Sequence, residues 1–193
     1  MATSPELENE KYTVDDYRNL DDDRRYELIE GELLLTPAPA SIHQHFITLF
    51  GAEIALHVHR NDLGRTYDTP FDVVLANDTV VQPDLTFVSA ERVDEVIDAR
   101  GATGAPDLVV EVLSPSTERR DRLQKRQIYA EKGVQWLLFA DPRPRIIEVL
   151  RLQPDTSKYL IEDTFGPDDT FHIALFEDLQ IKLADCWPPE EDA

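Results

Sequence analysis

Long apolar runs, paired cysteines and an excess of basic residues are all missing from this chain of 193 residues. No apolar run approaches the ~18 residues that a membrane-spanning helix needs, so we expect no membrane anchor. The single cysteine, Cys186, excludes an internal disulfide bond and favours a reducing compartment. The polar, acidic start of the chain lacks the apolar core of a secretory signal. These absences predict a soluble, cytoplasmic protein.

Several motifs for small ligands and for nucleophilic catalysis are missing as well. The stretch 101–104 (Gly-Ala-Thr-Gly) is not followed by the lysine and hydroxyl residue of a phosphate-binding loop. His57 and His59 stand two residues apart on a predicted helix, so they point to different faces and do not chelate a metal together. Ser114 and Ser116 lack the glycines of a nucleophile elbow. The sequence therefore gives no support to a P-loop protein, a zinc protein or a serine hydrolase.

The charge of the chain is strongly acidic and unevenly spread. A formal net charge of -20 argues against nonspecific nucleic-acid binding by the surface as a whole. Between residues 111 and 145, however, eight basic residues outnumber five acidic ones. Such a patch either meets a phosphate backbone in one orientation or is a solvated helix with ion pairs such as Glu118 with Arg122. The sequence leaves both interpretations open.

The order of apolar segments predicts the fold class. A nearly continuous apolar strand at 107–113, a helix at 118–132 and a buried strand at 134–140 form a strand–helix–strand unit, which favours parallel pairing. The earlier strands at 65–75 and 80–88 are joined by a short turn, so we expect antiparallel neighbours. The fold is therefore expected to be α/β, with a mixed central sheet flanked by helices and extra strands at both ends.

The remaining pattern is typical of one domain. We expect it over residues 12–187, between a disordered tail at 1–11 and an acidic tail at 188–193. The other expected elements are a helix at 14–20 capped by Thr13, a hairpin over 25–35 that turns at Glu30-Gly31, a long helix at 41–60, a short helix at 90–98, a hairpin of 146–152 with 159–165, a helix end at Gly133 and a last strand at 178–183.

Glu111 is the most informative single residue, because it interrupts the apolar strand 108–113. Burying a lone carboxylate without a partner is costly, so such a residue pairs with a base, coordinates a metal or faces a cleft. A structural ion pair is the alternative. Isolated core carboxylates are candidate functional sites, and we interpret Glu111 in that way.

A second carboxylate, Asp84, interrupts the strand pattern directly after Pro83. Proline cannot donate to a sheet ladder, so the chain is irregular or at an edge there; an ordinary turn is the alternative. If the strands of Asp84 and Glu111 are neighbours, the carboxylates lie about 5 Å apart and need a positive charge between them. Oxygen ligands favour Mg²⁺ or Mn²⁺, which suits the oxygen of a phosphodiester.

Lys125 is the third candidate, on the helix that follows the Glu111 strand. Its ammonium group could reach back over the strand end, where it would orient an attacking water or stabilise the charge on phosphorus oxygens. A solvated lysine paired with Asp121 is the alternative.

These residues together resemble a known family. Pro83-Asp84, the string 105–117 and the later Asp121, Lys125 and Tyr129 are similar to the Uma-type restriction endonucleases, domain of unknown function 820, in the PD-(D/E)XK nuclease superfamily. The resemblance begins at 26–32 (Tyr-Glu-Leu-Ile-Glu-Gly-Glu) and extends to about residue 183. The string 105–117 is its most specific part.

The resemblance implies a restriction-endonuclease-like core that hydrolyses phosphodiesters with a metal ion. Asp84 and Glu111 would hold Mg²⁺ or Mn²⁺, with the backbone carbonyl of Val112 as a third ligand. The superfamily pattern has lysine two residues after the second acid, where this chain has Leu113. Lys125 would then be the displaced replacement.

Two weaker candidates and a group of arginines complete the expected site. Glu32 matches an acid of the family's opening motif, and it either joins the site or only completes a hairpin. His43 also matches the family; it would touch the metal or the scissile phosphate, although a histidine at a helix start is more often exposed. The arginines expected to contact nucleic acid are Arg119, Arg120, Arg122 and Arg126.

Two functions follow from the sequence. The first is a Mg²⁺-dependent endonuclease, a hydrolase of DNA phosphodiester bonds with no membrane partner; the family resemblance and the need to cut two strands imply that it acts as a homodimer. The second is a non-catalytic member of the same fold that binds nucleic acid or protein, which the net charge and the displaced lysine favour. Divalent-metal-dependent nicking of DNA distinguishes the two.

Overall fold

A computed structural model describes residues 11–21 and 24–188 of the chain. The predicted disordered and acidic tails therefore fall outside the described residues, apart from residues 11 and 188. Within these ranges, no helix combines the length and the apolar character that crossing a membrane requires.

Helices and strands follow one another along the described residues as an α/β pattern. The helices are α1 (Val14–Arg18), α2 (Ser41–Arg60), α3 (Val93–Val96), α4 (Glu118–Arg120) and α5 (Arg126–Lys132), with a π-helical turn (Asp121–Lys125) that joins α4 to α5. The strands are β1 (Tyr26–Ile29), β2 (Glu32–Leu35), β3 (Gly64–Asp68), β4 (Val73–Ala76), β5 (Thr79–Val81), β6 (Leu85–Ser89), β7 (Ile97–Asp98), β8 (Gly101–Thr103), β9 (Leu108–Val112), β10 (Trp136–Asp141), β11 (Ile146–Leu152), β12 (Tyr159–Phe165), β13 (Thr170–Ile173) and β14 (Phe176–Lys182).

Local signals explain where several elements begin and end. Thr13 and Asp16 form a reciprocal capping box at the start of α1. Glu30 and Gly31 have positive φ angles of 53° and 87°, as a two-residue hairpin turn requires. Gly133, with a φ of 88°, ends α5 in the left-handed conformation. The predicted cap, hairpin turn and helix end are confirmed.

The first sheet contains six strands in the order β12-β11-β10-β9-β6-β3. Strands β9 and β10 are parallel, whereas β6 pairs with β9 in antiparallel orientation. The predicted parallel strand–helix–strand unit is therefore confirmed, and the sheet is mixed as expected. A separate hairpin of β13 and β14 packs beside it.

The second sheet has the order β2-β1-β5-β4-β8-β7 and corrects two sequence predictions. The strands expected at 65–75 and 80–88 are each divided between the two sheets. The first breaks near Pro70 and the second at Pro83, because proline has no N–H to donate to a ladder. Asp84 therefore lies where the chain passes from the second sheet to the first.

Some short helices and strands also differ from the sequence predictions. The helix expected at 90–98 is limited to α3, and β7 follows it directly. Strands β8 and β13 are additions to the predicted elements, because strands of three or four residues carry too little periodicity to be recognised.

Strand β9 is buried on both faces, which explains its apolar sequence. Helix α2 contributes Phe46 and Phe50 to the cluster on one face, together with Val110. Tyr129 of α5 belongs to the cluster on the other face, with Val109. All five residues of β9 are buried, so Glu111 is surrounded by protein on either side. The core thus places one charged side chain at the point where the strand leaves the sheet.

Candidate active site

Asp84 directly precedes β6 and lies across from Glu111 on the neighbouring strand β9. The register of β6 and β9 pairs Leu85 with Val110, and the next step places Asp84 across from Glu111. The backbone N–H of Asp84 donates to the carbonyl of Val110 at 3.1 Å, which extends the ladder of β6 and β9 by one residue, as far as the break at Pro83. The expectation that the two carboxylates come from adjacent strands is met.

Two groups hold the Asp84 carboxylate. Its Oδ2 accepts the backbone N–H of Val112 at 2.7 Å and lies 3.1 Å from His43 Nε2. The histidine is 7% exposed, so it is not the solvated helix-start residue that its position makes common. His43 Nδ1 is buried without a hydrogen-bond partner within the described ranges. The first turn of α2 therefore orients Asp84.

Lys125 reaches the site from the π-helical turn. Its Nζ lies 2.9 Å from Glu111 Oε1, 2.7 Å from Glu27 Oε1 and 3.6 Å from Asp121 Oδ1. Asp121 and Lys125 are four residues apart, so they lie on the same face of this turn. Both are buried. The lysine is therefore part of the site and not a solvated side chain.

Glu111 is fixed through one of its two oxygens. Oε1 accepts the hydroxyl of Tyr129 at 2.5 Å as well as the ammonium of Lys125. Within the described part of the chain, Oε2 has no hydrogen-bond partner. The residue lines a cavity of about 270 Å³, so this second oxygen is available to a ligand.

Burial and charge oppose each other in this cluster. Burial raises the pKa of the Glu111 carboxyl group, and the Lys125 ammonium counteracts the rise. Burial lowers the pKa of Lys125, but the carboxylates of Glu111, Glu27 and Asp121 outweigh it and raise the pKa above its ordinary value. Lys125 therefore stays charged at neutral pH.

The cavity carries more negative than positive groups. Its acidic lining residues are Glu27, Asp84, Glu111 and Asp121, and its basic ones are Lys125 and Arg120. If all four carboxylates ionise, two negative charges remain unbalanced. A divalent cation is the natural complement of such a cavity.

The oxygen atoms that face the cavity are suitable ligands for Mg²⁺ or Mn²⁺, which bind few protein groups and keep several waters. In the described ranges, no group of three or more His, Cys, Asp or Glu side chains is arranged to hold a metal ion. Mg²⁺ commonly uses only one or two carboxylates and keeps several waters. Asp84 and Glu111 supply two carboxylates, and Val112 presents its N–H, hence also its carbonyl, to the same strand edge. The oxygen atoms of Asp84, Glu111 and Val112 are therefore suitable ligands for Mg²⁺ or Mn²⁺.

Glu32, the weaker acidic candidate, does not line this cavity, and its position fits the alternative that it completes a hairpin. It begins the edge strand β2 and is exposed, whereas Glu27 on the inner strand β1 is 1% exposed and lines the cavity. Glu27 was detectable by the same signal as Glu111: it is a lone acid in the apolar strand Tyr26–Ile29. From the sequence this segment is interpreted only as a hairpin, so Glu27 is not considered as a site residue there.

The four arginines predicted to contact nucleic acid have different surroundings. Only Arg120 among them lines the cavity, with Nη2 at 3.3 Å from Glu27 Oε2. Of the other three, Arg119 is exposed and Arg122 pairs with Glu118 and Glu148. Arg126 lines a different surface pocket together with Arg122 and donates to the carbonyl of Tyr159. The basic segment is thus partly neutralised by its own ion pairs.

The chain is similar to proteins of one known family. The Uma2 family, described as "Putative restriction endonuclease", matches residues 14–184, which include every residue that lines the cavity. A search of curated proteins finds no match. A crystal structure of "a putative nuclease belonging to DUF820" from Anabaena variabilis has a TM-score of 0.72 and 20% identity, and the alignment covers 91% of this chain and 97% of that chain. At that identity the likeness shows a shared fold, and the match over residues 14–184 establishes that the chain belongs to the Uma2 family.

Proposed function

We propose that the protein is a metal-dependent endonuclease that hydrolyses phosphodiester bonds of nucleic acid, with DNA as the substrate. The observation that carries the proposal is the convergence of Asp84, Glu111 and Lys125 on one cavity, which four acidic residues line together with Lys125 and Arg120. Family membership supports a nuclease in general.

Each residue has a distinct role in this proposal. Asp84, Glu111 and the Val112 carbonyl would hold Mg²⁺ or Mn²⁺, which supplies Lewis-acid polarisation of a phosphoryl oxygen and a water of lowered pKa. His43 keeps the Asp84 carboxylate in place. Lys125 orients the attacking water or stabilises the growing charge on the phosphoryl oxygens.

A cleavage assay tests the proposal. Supercoiled DNA and labelled oligonucleotides are incubated with Mg²⁺, Mn²⁺ or EDTA. We expect cleavage only with a divalent metal, products with 5′-phosphate and 3′-hydroxyl ends, and a loss of more than about 100-fold in Asp84→Asn and Glu111→Gln. Glu177→Gln, an exposed acid on β14, is the matched control.

A second function, binding without cleavage, is favoured by one specific observation. Three carboxylates already neutralise Lys125, and the whole chain has a net charge of -20. Purified protein that binds DNA and cuts neither strand with any divalent metal would establish this alternative and refute the endonuclease.

We also propose a homodimer in the cytoplasm, with a second copy docked at strand β12. This strand is an edge of the first sheet, and Leu160 and Ile161 on it are 58% and 56% exposed. Antiparallel pairing of two copies at this edge would place Leu160 opposite Leu160 of the second copy. Sedimentation equilibrium of the wild type and of Leu160→Lys tests the dimer: only the wild type should sediment with twice the chain mass.

A further inference from the structure

Glu27 is a buried glutamate that the proposed chemistry leaves without a role. It comes from β1 of the second sheet and is 1% exposed. Its Oε1 lies 2.7 Å from Lys125 Nζ and accepts the backbone N–H of Gln82 at 3.0 Å. Its Oε2 lies 3.3 Å from Arg120 Nη2. Glu27 therefore connects the lysine to the segment that leads into Asp84.

Stability alone does not explain a carboxylate at this position. Removing a glutamate and a lysine from water costs free energy that their attraction often fails to recover, and an apolar pair of similar volume packs as well or better. The arrangement is explained if the protein requires the Lys125 ammonium group at a fixed position in the cavity. Glu27 and Glu111 hold it at nearly equal distances, 2.7 and 2.9 Å.

The displaced lysine creates the need for such a partner. In the superfamily pattern the lysine follows the second acid on the same strand, so strand geometry fixes it. Here Leu113 stands at that position, and Lys125 extends a flexible side chain from the π turn. A divalent cation bound at Glu111 Oε2 would compete with the ammonium group for the negative charge of this carboxylate. A lysine on the helix therefore needs an anchor that does not serve the cation.

We propose that Glu27 is a positioning residue, which holds the Lys125 ammonium in the cavity while Glu111 binds the divalent cation. The inference rests on the proposed function, because it assigns the cation to Asp84 and Glu111. Asp121 assists at 3.6 Å, and Gln82 keeps the Glu27 carboxylate aimed at the lysine.

Kinetics of Glu27 variants test the inference. Glu27→Gln should lower kcat by about 10- to 100-fold with KM within twofold of the wild type, because substrate binding is retained. Glu27→Asp keeps the charge but withdraws the carboxylate by one methylene, so kcat should fall in the same direction even if Glu27→Gln folds poorly. Glu177→Gln is the control for an exposed acid. Unchanged kcat in both Glu27 variants would overturn the inference.

A double-mutant cycle separates positioning from a general structural effect. If Glu27 acts only through Lys125, Glu27→Gln/Lys125→Met should be no slower than Lys125→Met alone. A further loss of tenfold or more in the double variant would show that Glu27 acts independently of the lysine, and it would overturn the inference.

Binding and unfolding measurements keep this test independent of cleavage. In calorimetric titration with Mn²⁺, Glu27→Gln should bind within about threefold of the wild type, whereas Asp84→Asn should lose affinity by 10-fold or more. Equal losses would make Glu27 a ligand and refute positioning. In urea unfolding at saturating Mn²⁺, coupling between positions 27 and 125 should persist. If the wild type cuts nothing but this coupling remains, the endonuclease proposal fails and the positioning role stands.

Discussion

Replacing Lys125 by methionine tests the charge balance of the site most severely. The side chain is 4% exposed and is the ammonium partner of Glu27, Glu111 and Asp121. Removing one partner of a buried ion pair typically costs about 3–5 kcal/mol, because the other charge stays buried without compensation. We expect Lys125→Met to lose stability of this order at pH 8 in EDTA. Lys158→Met, an exposed lysine, should lose less than about 0.5 kcal/mol.

The loss should depend on pH in a defined direction. Without the ammonium, burial holds the pKa values of the Glu111 and Asp121 carboxyl groups above their unfolded values, and the opposing effect of Lys125 is gone. The folded variant then binds more protons than the unfolded chain, so its stability falls as pH rises through this range. The deficit relative to the wild type should therefore shrink from pH 8 towards pH 5.

Urea unfolding followed by circular dichroism at pH 5, 6, 7 and 8 measures this deficit. Both proteins are compared at each pH, so acid effects common to the two cancel. A deficit below about 1 kcal/mol, or one that is constant across the range, would refute the reasoning that Lys125 compensates buried carboxylates.

Three further outcomes follow from the structure. Tyr129→Phe removes the hydroxyl that donates to Glu111 and should cost about 1.5–3 kcal/mol in urea unfolding, whereas Tyr12→Phe on the exposed surface should cost almost nothing; equal values would contradict the hydrogen bond. Burial raises the pKa of the Cys186 thiol to about 11, so a thiol reagent at pH 8 should label the native protein far more slowly than the urea-unfolded chain. Gly133→Ala should cost about 1–2 kcal/mol because its φ is 88°, although no atom lies within 4 Å of the added Cβ; an unchanged unfolding midpoint would exclude strain at this helix end.

The sequence predicts those parts of the fold that local chemistry determines. Thr13, the turn at Glu30-Gly31 and Gly133 each act within a few residues, so their signals are readable without tertiary structure. No local signal predicts that two expected strands are divided between two sheets. Pro83 shows that a ladder is interrupted, but which sheet each half joins depends on packing against distant elements.

The candidate site shows the same distinction. Asp84 and Glu111 were recognisable because a charged residue in an apolar strand is costly wherever it is buried. Glu27 has the same signature, yet its relation to Lys125 depends on a contact between residues 98 positions apart in the chain. His43 similarly reaches Asp84 only because α2 packs across the first sheet. Such partners become visible only when the sheets are assembled.

The location of a bound divalent cation shows whether Asp84 and Glu111 form a metal site. Crystals of the protein are soaked with Mn²⁺, and anomalous scattering locates the ion. We expect one peak within coordination distance of the Asp84 carboxylate, Glu111 Oε2 and the Val112 carbonyl, with Lys125 still in contact with Glu27. Manganese bound elsewhere, with Asp84 and Glu111 unliganded at saturating metal, would contradict the proposed metal site.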